Sequence, residues 1–342
     1  MASPEDEGEK MCRICWGDED DGPLVRPCVC RGSAEWIHGH CLEQYRRTGP
    51  REDAAYRCGQ CMDDYHDQLS IELLAARLEA ERTNGQANTL TLSTLASELY
   101  AQGHYDRAGA LFRELLEWQR ETLGNLHLGT LISINNLGMV LKAKGDLAAA
   151  ELLCREALEG QRETFDNLHL IALTFICNLG TLLQDKGKYD EAQPLLREAM
   201  EGMRGTLGAR HPTTLASINN LGSLLKAKGD LAAAELLYRE ALEVSRETLG
   251  DRHPSTLISV HNLGHLLKAK GDLAAAEPLF REVLEVSRET LGNRHPDTLT
   301  AIGNLGLLLQ DKGDDDAAEP LLREWAIGYD ADLGSASADL GI

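Results

Sequence analysis

The sequence contains no apolar run approaching the roughly 20 residues that a membrane-spanning helix needs. Its first segment, residues 1–11, is acidic and polar, so it does not resemble a secretory signal or a transit peptide, and we expect it to be disordered. Basic residues are also scarce: 34 Lys and Arg stand against 55 Asp and Glu, which gives a formal net charge of −21. This charge argues against general nucleic-acid binding and against an anionic membrane surface as partner.

Cysteine is sparse outside one stretch, because seven of the nine cysteines lie between residues 12 and 61. Their close pairing, with no signal peptide, fits metal ligation in a reducing, cytoplasmic compartment rather than disulfide bonds. Together with one histidine they supply eight ligands, as many as two four-coordinate zinc ions need, so we predict two Zn²⁺ per chain. The eight predicted ligands are Cys12, Cys15, Cys28, Cys30, His38, Cys41, Cys58 and Cys61.

The ligand spacing and the surrounding residues resemble the RING-variant (RING-CH) zinc finger over about residues 10–66. One residue separates Cys28 from Cys30, and seven separate Cys30 from His38. The PHD finger has the same order of ligands, but more residues separate its third and fourth ligands, and fewer separate its fourth ligand from the histidine. The resemblance implies that the ligand pairs interleave and that both zinc sites are closed and structural. It assigns Cys12, Cys15, His38 and Cys41 to one ion and Cys28, Cys30, Cys58 and Cys61 to the other.

RING-CH fingers bind a ubiquitin-charged E2 enzyme and promote ubiquitin transfer to a substrate lysine. The resemblance therefore implies a RING-type E3 ubiquitin ligase that acts by positioning and has no catalytic residue of its own. The family's E2-binding positions correspond to Ile14, Pro27 and Tyr45, the last usually Trp in the family. Packing around the zinc ions is an alternative role for Ile14 and Tyr45. Many active RING fingers carry a basic residue after the last ligand, where residues 62–64 read Met-Asp-Asp.

Residues 67–87 predict a helix that connects the finger, placed at residues 12–66, to the remainder of the chain. Apolar residues recur at helical spacing from Ile71 to Leu78, and Gly85 follows as a stop signal. The helix occupies the place of a second helix in a degenerate half-repeat, so we expect it to cap the array that follows.

From about residue 88 the chain repeats with a period of 42 residues, marked by glycine at positions 103, 145, 187, 229, 271 and 313. In one unit an apolar helical pattern runs to a turn at Gly229, and Asp230 then provides an N-cap for a second helix. The loop histidines, such as His211, are expected to form hydrogen bonds at helix boundaries. This period is typical of a solenoid. We predict a mostly α chain: a cross-brace two-zinc finger, then about six helix-turn-helix repeats over residues 88–327 and a frayed tail over 328–342.

The 42-residue unit resembles the tetratricopeptide repeat. Leu221 and Gly222 match its Leu-Gly pair, and Ala234 and Ala241 match the two alanines of its second helix. The long period, with its Asn-Asn-Leu and Leu-Gly-x-x-His-Pro segments, resembles the repeats of kinesin light chain and nephrocystin-3. Such repeats bind unrelated partners, so the resemblance implies a protein-binding array but not its ligand. The array stops within a repeat, which predicts exposed apolar surface and self-association through the C-terminal repeat.

The first helices of tetratricopeptide arrays line a concave groove, and in this chain asparagine and lysine recur on them. An asparagine side chain can donate to and accept from a peptide backbone at once, and lysine adds positive charge. We predict a groove for an extended, acidic peptide of a substrate or cargo protein. The alternative is that the asparagines bridge neighbouring repeats. The predicted peptide-binding residues are Asn136, Asn178, Asn220, Asn262, Asn304, Lys142, Lys226 and Lys268.

Two function classes fit these features. The first is a single-chain E3 ubiquitin ligase, in which the finger recruits the E2 enzyme and the array recruits the substrate. The second is a non-catalytic adaptor, in which the zinc module only binds a partner or dimerises. Membrane-associated RING-CH ligases contain transmembrane helices, and this sequence shows no such segment, so a soluble, cytoplasmic ligase is the closer match.

Overall fold

The computed structural model describes residues 24–25, 37–38, 41–42, 44, 46, 68–84, 88–164, 170–293 and 295–338. The chain divides into two compact units, Met1–Gly160 and Gln161–Ile342, which are described separately. In the described residues both units consist of α-helical hairpins that follow one another along the chain. The first unit also contains a short antiparallel ribbon of β1 (Leu24–Val25) and β2 (Ile37–His38).

The helices alternate with short turns throughout the repeat region, and the prediction of a mostly α helix-turn-helix array is confirmed. α1 is the connecting helix, and the even-numbered helices from α2 onward are the first helices of repeats. In chain order they are α1 (Gln68–Thr83), α2 (Thr89–Ala101), α3 (Tyr105–Thr122), α4 (Leu128–Ala143), α5 (Leu147–Thr164), α6 (Leu170–Asp185), α7 (Tyr189–Leu207), α8 (Pro212–Ala227), α9 (Leu231–Leu249), α10 (Pro254–Ala269), α11 (Leu273–Leu291), α12 (Pro296–Asp311) and α13 (Asp315–Ala338).

The last helix differs from the sequence-based expectation. The sequence placed a frayed tail from residue 328 onward, but α13 continues to Ala338. Gly328 still packs against the first helix of its repeat, since a Cβ atom added there would lie 2.3 Å from Cδ2 of Leu299. The helical hairpin of the last repeat therefore includes residue 328, the first residue of the predicted tail.

Helix boundaries follow the predicted signals. At the start of a first helix, His211 lies at the N-cap and its Nδ1 accepts a hydrogen bond from the Thr213 backbone N–H at 3.2 Å. The turn inside the repeat has Gly229 at φ +86°, a conformation that side-chain-bearing residues rarely adopt. Asp230 then caps the second helix by accepting from the Ala233 N–H at 3.2 Å. The cap and turn recur with the repeat, although His104 and Lys188 stand at the N-cap of their second helices without a side-chain cap hydrogen bond.

Each hairpin closes around a small residue of its first helix. Gly222 on α8 faces Tyr238 on α9, which is 1% exposed, and a Cβ atom at Gly222 would lie 2.7 Å from the tyrosine ring. Gly264 faces Phe280 in the same way in the following repeat, with a corresponding distance of 3.2 Å. The missing side chain on one helix makes room for a ring on the other, so the pair buries a large apolar surface at a close crossing.

The sequence did not predict an ion-pair ladder between the second helices of consecutive repeats. In each step an arginine from the last turns of one second helix contacts a glutamate of the next, at 2.6–3.7 Å. These side chains are mostly about two-fifths exposed, so each pair contributes little stability alone and mainly favours one alignment of the repeats. The pairs are Arg120–Glu156 in the first unit and Arg162–Glu198, Arg204–Glu240, Arg246–Glu282 and Arg288–Glu324 in the second.

A second set of ion pairs joins the lysine that caps a first helix to an acid of the preceding second helix. Lys228 contacts Asp190 at 2.8 Å, while Lys270 contacts Glu235. Lys312 contacts Glu277, whose side chain is only 12% exposed. Hydrogen bonds from Lys270 and then Arg239 lower the pKa of Glu235, and the hydrogen bond from Lys312 lowers that of Glu277.

The glycine contact yields a first prediction. We expect Gly222→Ala to destabilise the array by about 1–3 kcal/mol, because the new methyl group overlaps the Tyr238 ring. Gly205→Ala is the matched control: it also lies inside a helix but has no atom within 4 Å of its Cβ position, so it should stabilise by up to about 1 kcal/mol. Urea unfolding followed by circular dichroism measures both, and equal effects would contradict the packing argument.

The carboxylates of Glu235 and Glu277 yield a second prediction. Their pKa values lie below the ordinary 4.5, so their ion pairs stabilise the fold above about pH 4.5, and this stability is lost as the pH falls through the lowered values. We expect the double variant E235Q/E277Q to be less stable than wild type at pH 7, by about 0.5–1 kcal/mol per site, and the difference to vanish near pH 3. Thermal unfolding at the two pH values measures this.

The control for that experiment is E243Q/E285Q, which changes the charge of α9 and α11 equally. Both glutamates are exposed and form no ion pair within the described ranges. The control should show no comparable pH-dependent loss, and an E235Q/E277Q variant that behaves like it would rule out the ion-pair explanation.

Candidate functional site

Two of the eight predicted zinc ligands lie among the described residues. His38 ends β2, and Cys41, three residues later, is helical with its side chain 7% exposed, as Leu42, Gln44 and Arg46 are helical. A buried thiol close in sequence to an imidazole fits a closed tetrahedral zinc site of Cys and His ligands. The remaining predicted ligands and E2-binding residues lie outside the described residues: Cys12, Cys15, Cys28, Cys30, Cys58, Cys61, Ile14, Pro27 and Tyr45.

The helical residue Arg46 contacts the connecting helix. Arg46, which is 3% exposed, donates a hydrogen bond through Nη2 to Oγ of Ser70 on α1 at 2.6 Å. At the other end of α1, Arg82 forms a two-oxygen ion pair with Glu114 on α3 at 2.5 and 2.7 Å. This glutamate belongs to the same repeat position as the other ladder glutamates, so α1 occupies the place of a second helix.

The predicted asparagines are half-buried on the first helices, and two of them contact the preceding repeat. Asn220 donates through Nδ2 to Sγ of Cys177 at 3.3 Å, while Nδ2 of Asn304 lies 2.9 Å from Nε2 of His261. These contacts agree with the alternative that asparagines bridge repeats. Each of these two contacts uses only the amide nitrogen of the asparagine and not its carbonyl oxygen. Peptide binding by the asparagines stays a prediction. Asn136 belongs to the first unit, whereas Asn178, Asn220, Asn262 and Asn304 belong to the second.

A buried neighbour of this row was missed by sequence reasoning. Asn219 is 6% exposed and donates through Nδ2 to Oγ of Ser259 in the next repeat at 3.0 Å. Its Oδ1 is buried without a hydrogen-bond partner among the described residues. The two residues of the Asn-Asn pair therefore differ in their surroundings. Asn219 is buried between repeats, and Asn220 lies closer to the surface.

The predicted lysines differ from one another in the structure. Lys268 forms an ion pair with Asp311 at 2.7 Å, so its charge is partly neutralised. Lys226 is half-buried, burial lowers its pKa, and it forms no ion pair within the described ranges. The residue that corresponds to Asp311 one repeat earlier is Ala269, which explains the difference. Lys142 lies half-buried in the first unit.

Two histidines on the same helical face form a contact that was not predicted from the sequence. His261 and His265 lie one turn apart on α10, and their Nε2 atoms are 3.1 Å apart. Burial is the main cause that lowers both pKa values, and nearby Lys226 adds to it. For His265 the pKa falls to about 4. Phe280 supports both rings edge-on, at centroid distances of 6.3 and 5.0 Å. Both imidazoles are therefore neutral at pH 7.

Comparison with protein-family models identifies the array. A tetratricopeptide repeat model matches residues 86–163, 170–247, 237–289 and 255–324. The chain belongs to the tetratricopeptide repeat family. The model for the RING-variant domain matches residues 12–61, so the zinc-ligand stretch is a RING-variant domain. The two family resemblances inferred from the sequence are confirmed.

Solved structures agree with the tetratricopeptide fold. The chain is 27% identical to the nearly identical TPR-like repeats of a protein described as a kinesin light chain from Podosopora anserina, with a TM-score of 0.51. The match covers 59% of this chain and 96% of that one. BtubC (BKLC) from P. vanneervenii matches with a TM-score of 0.53 at 22% identity, over 68% of this chain and 90% of the other, which supports the fold alone.

The two curated relatives described here each match a short part of the chain. E3 ubiquitin-protein ligase MARCHF5 of Xenopus laevis is 39% identical over 62 residues, which is 17% of this chain and 22% of the relative. E3 ubiquitin-protein ligase MARCHF8 of Homo sapiens is 42% identical over 41 residues, 12% of this chain and 14% of the relative. The chain thus spans less than a quarter of the length of either. Among the helices of the described ranges, none combines the length and the apolar character needed to cross a membrane.

Proposed function

We propose that the protein is a RING-type E3 ubiquitin ligase whose finger binds a ubiquitin-charged E2 enzyme and whose tetratricopeptide array recruits the substrate. The observation that carries the proposal is the presence, in one chain, of a RING-variant domain similar to those of ubiquitin ligases and a protein-binding repeat array. The pairing supplies both halves of a ligase, because a RING ligase acts by holding the E2 thioester near a substrate lysine.

Zinc has a structural role in this proposal. Cys12, Cys15, His38 and Cys41 would hold one ion, and the other four cysteines of the finger would hold a second. A segment of about 50 residues buries too little apolar surface to fold alone, so metal binding supplies folding energy. With all coordination positions filled by protein, the sites activate no water and contribute no hydrolytic step.

The residues of the finger that would contact the E2 enzyme are Ile14, Pro27 and Tyr45. Apolar and aromatic side chains of this kind form the buried centres of protein interfaces. The contact of Arg46 with Ser70 and the ion pair of Arg82 with Glu114 support a firm connection from the finger through α1 to the first repeat. Such a connection limits the space that the bound E2 enzyme explores, which favours transfer to a positioned lysine.

The array would recruit its partner through the first helices. In the second unit, Asn178, Asn220, Asn262 and Asn304 offer amide groups on this face, and Lys226 offers a cation without an ion-pair partner among the described residues. In a chain of net charge −21, local positive charge favours an acidic peptide over a basic one. Lys268 should contribute less, because Asp311 already pairs with it.

An adaptor without ligase activity is the second candidate. The observation that favours it is the Met-Asp-Asp segment at residues 62–64, where many active RING fingers carry a basic residue. In that case the finger would bind a partner or dimerise, and the C-terminal repeat could provide self-association. Assays with purified E1 and E2 enzymes separate the two candidates directly, and a cytoplasmic location is common to both.

The E2 contact yields a third prediction. We expect Ile14→Ala to abolish ubiquitin-chain formation in a reconstituted assay with E1, E2 and ubiquitin, because it truncates the apolar contact with E2 without removing a zinc ligand. Elemental analysis should find two zinc ions per chain in both wild type and variant. The matched control is Ile258→Ala, which truncates a 55% exposed isoleucine of the array and should leave chain formation intact.

Three results of this experiment would count against the proposal. Wild-type protein that is inactive with a broad panel of E2 enzymes would favour the adaptor. Full activity of the Ile14→Ala variant would show that E2 binds elsewhere. One zinc per chain, or a finger that keeps its fold in a strong chelator, would contradict the two-zinc assignment.

The recruiting face yields a fourth prediction. We expect Lys226→Glu to weaken binding of a fluorescein-labelled ten-residue peptide of alternating glutamate and serine, measured by anisotropy, and Lys268→Glu to have a smaller effect. Binding should fall as salt rises, because the face is open to solvent. Lys228→Glu is the control. It reverses the same charge two residues away from Lys226, but the native Lys228 already forms an ion pair with Asp190. Equal losses in all three variants would indicate only a general charge effect.

A further inference from the structure

The two histidines of α10 bring their Nε2 atoms within hydrogen-bond distance of each other on the first-helix face, and a metal ion bound by both would replace this hydrogen bond. His261 and His265 are four residues apart, so they share one side of the helix. Their Nε2 atoms are separated by 3.1 Å, with ring centroids 4.4 Å apart and ring planes at 69°. Phe280 lies against both rings and restricts their rotation. This is an oriented pair of imidazole nitrogens rather than two independent surface histidines.

The separation of the two nitrogens fits a shared metal ion. With Zn–N distances of about 2.0–2.1 Å, nitrogens 3.1 Å apart enclose an angle of about 100° at the metal, close to the tetrahedral value. We propose that His261 and His265 form a binding site for a divalent zinc-like transition-metal ion, separate from the sites of the RING-variant domain. Both rings are neutral at pH 7, which is the form that binds metal.

The pair occurs in a single repeat of the array. At the two corresponding positions the other five repeats have Ser and Ser, Asn and Met, Cys and Thr, Asn and Ser, or Gly and Leu. Their residue numbers are 93 and 97, 135 and 139, 177 and 181, 219 and 223, and 303 and 307. The repeat framework therefore does not require histidine at either place. A structural role common to all repeats does not account for the pair.

The groups around the two histidines show which other ligands the metal ion could take. The Asn304 amide lies 2.9 Å from His261 through its nitrogen, and a rotation of the amide would present its oxygen instead. Across the described residues no group of three or more His, Cys, Asp or Glu side chains is placed to hold a metal. Two histidine ligands thus leave positions for water, or for a carboxylate of a bound partner. The site is independent of the ligase proposal.

The positive charge of Lys226 should oppose the binding of a metal cation, so removing that charge has an expected direction of effect on affinity. In the preceding repeat pair, Gln184 reaches Ser223 at 3.0 Å, and the corresponding residues one repeat later are Lys226 and His265. Lys226 therefore lies beside the histidines, whereas the charge of Lys268 is balanced by Asp311. Replacing Lys226 with a neutral residue should tighten binding of a cation and loosen binding of an anion at the same place.

The test uses the full chain purified with its own zinc and titrated with additional Zn²⁺ by calorimetry at pH 7.5 in 150 mM salt, on the order of physiological ionic strength. Wild type should bind one more ion than the double variant H261Q/H265Q, whatever the zinc content of the finger. The single variants H261Q and H265Q should each lower the affinity for the additional Zn²⁺ about tenfold or more. Lys226→Gln should raise that affinity about two- to fivefold. The control His104→Gln, which removes a lone histidine with no side-chain cap bond, should leave it unchanged.

Nuclear magnetic resonance of the histidine rings gives a second readout, because the signals of both rings should shift together as Zn²⁺ is added. Equal zinc stoichiometry for wild type and H261Q/H265Q, with both proteins folded by circular dichroism, would overturn the proposal. Weaker zinc binding by Lys226→Gln would overturn it as well, since it would show that the lysine takes part in the site rather than opposing the ion.

Discussion

The close crossing of the two helices in each repeat is the contact on which the array depends. Gly222 admits the Tyr238 ring and Gly264 admits the Phe280 ring, so in these repeats a glycine on one helix and an aromatic ring on the other form the centre of the hairpin. Neighbouring repeats then bury the remaining apolar faces, which makes stability a sum of local terms. The ion pairs between repeats are too exposed to replace this packing, but they favour one alignment of consecutive helices.

The finger and the array obtain their stability from different sources. The array folds through apolar packing that the chain itself supplies, whereas the RING-variant segment is small enough to need metal ligands. The described contacts of Arg46 with Ser70 and Arg82 with Glu114 connect the two through α1. The proposed ligase function requires such a connection, because a RING ligase acts by holding the E2 thioester near a substrate lysine.

Much of the fold was predictable because its signals are local. Histidine caps, turn glycines and Asp caps lie next to the helices that they delimit, and they recur at a spacing of 42 residues in most repeats. The arginine–glutamate ladder was missed although it has the same period, because the spacing of two residues along the chain does not show which helix faces meet. The place of Gly328 in the last hairpin was missed for a similar reason, because its contact with Leu299 joins two different helices.

The sequence by itself determined the ligand order of the zinc finger, the number and type of repeats and the face on which the polar residues lie. Only the tertiary structure decided which of those polar residues are already engaged. Lys268 pairs with Asp311 and Asn220 with Cys177, while Lys226 lies near enough to His261 and His265 to help lower their pKa values. The physical reason is that these partners belong to different repeats, about 40 residues apart, and are brought together only when the glycine-centred hairpins stack at close distance.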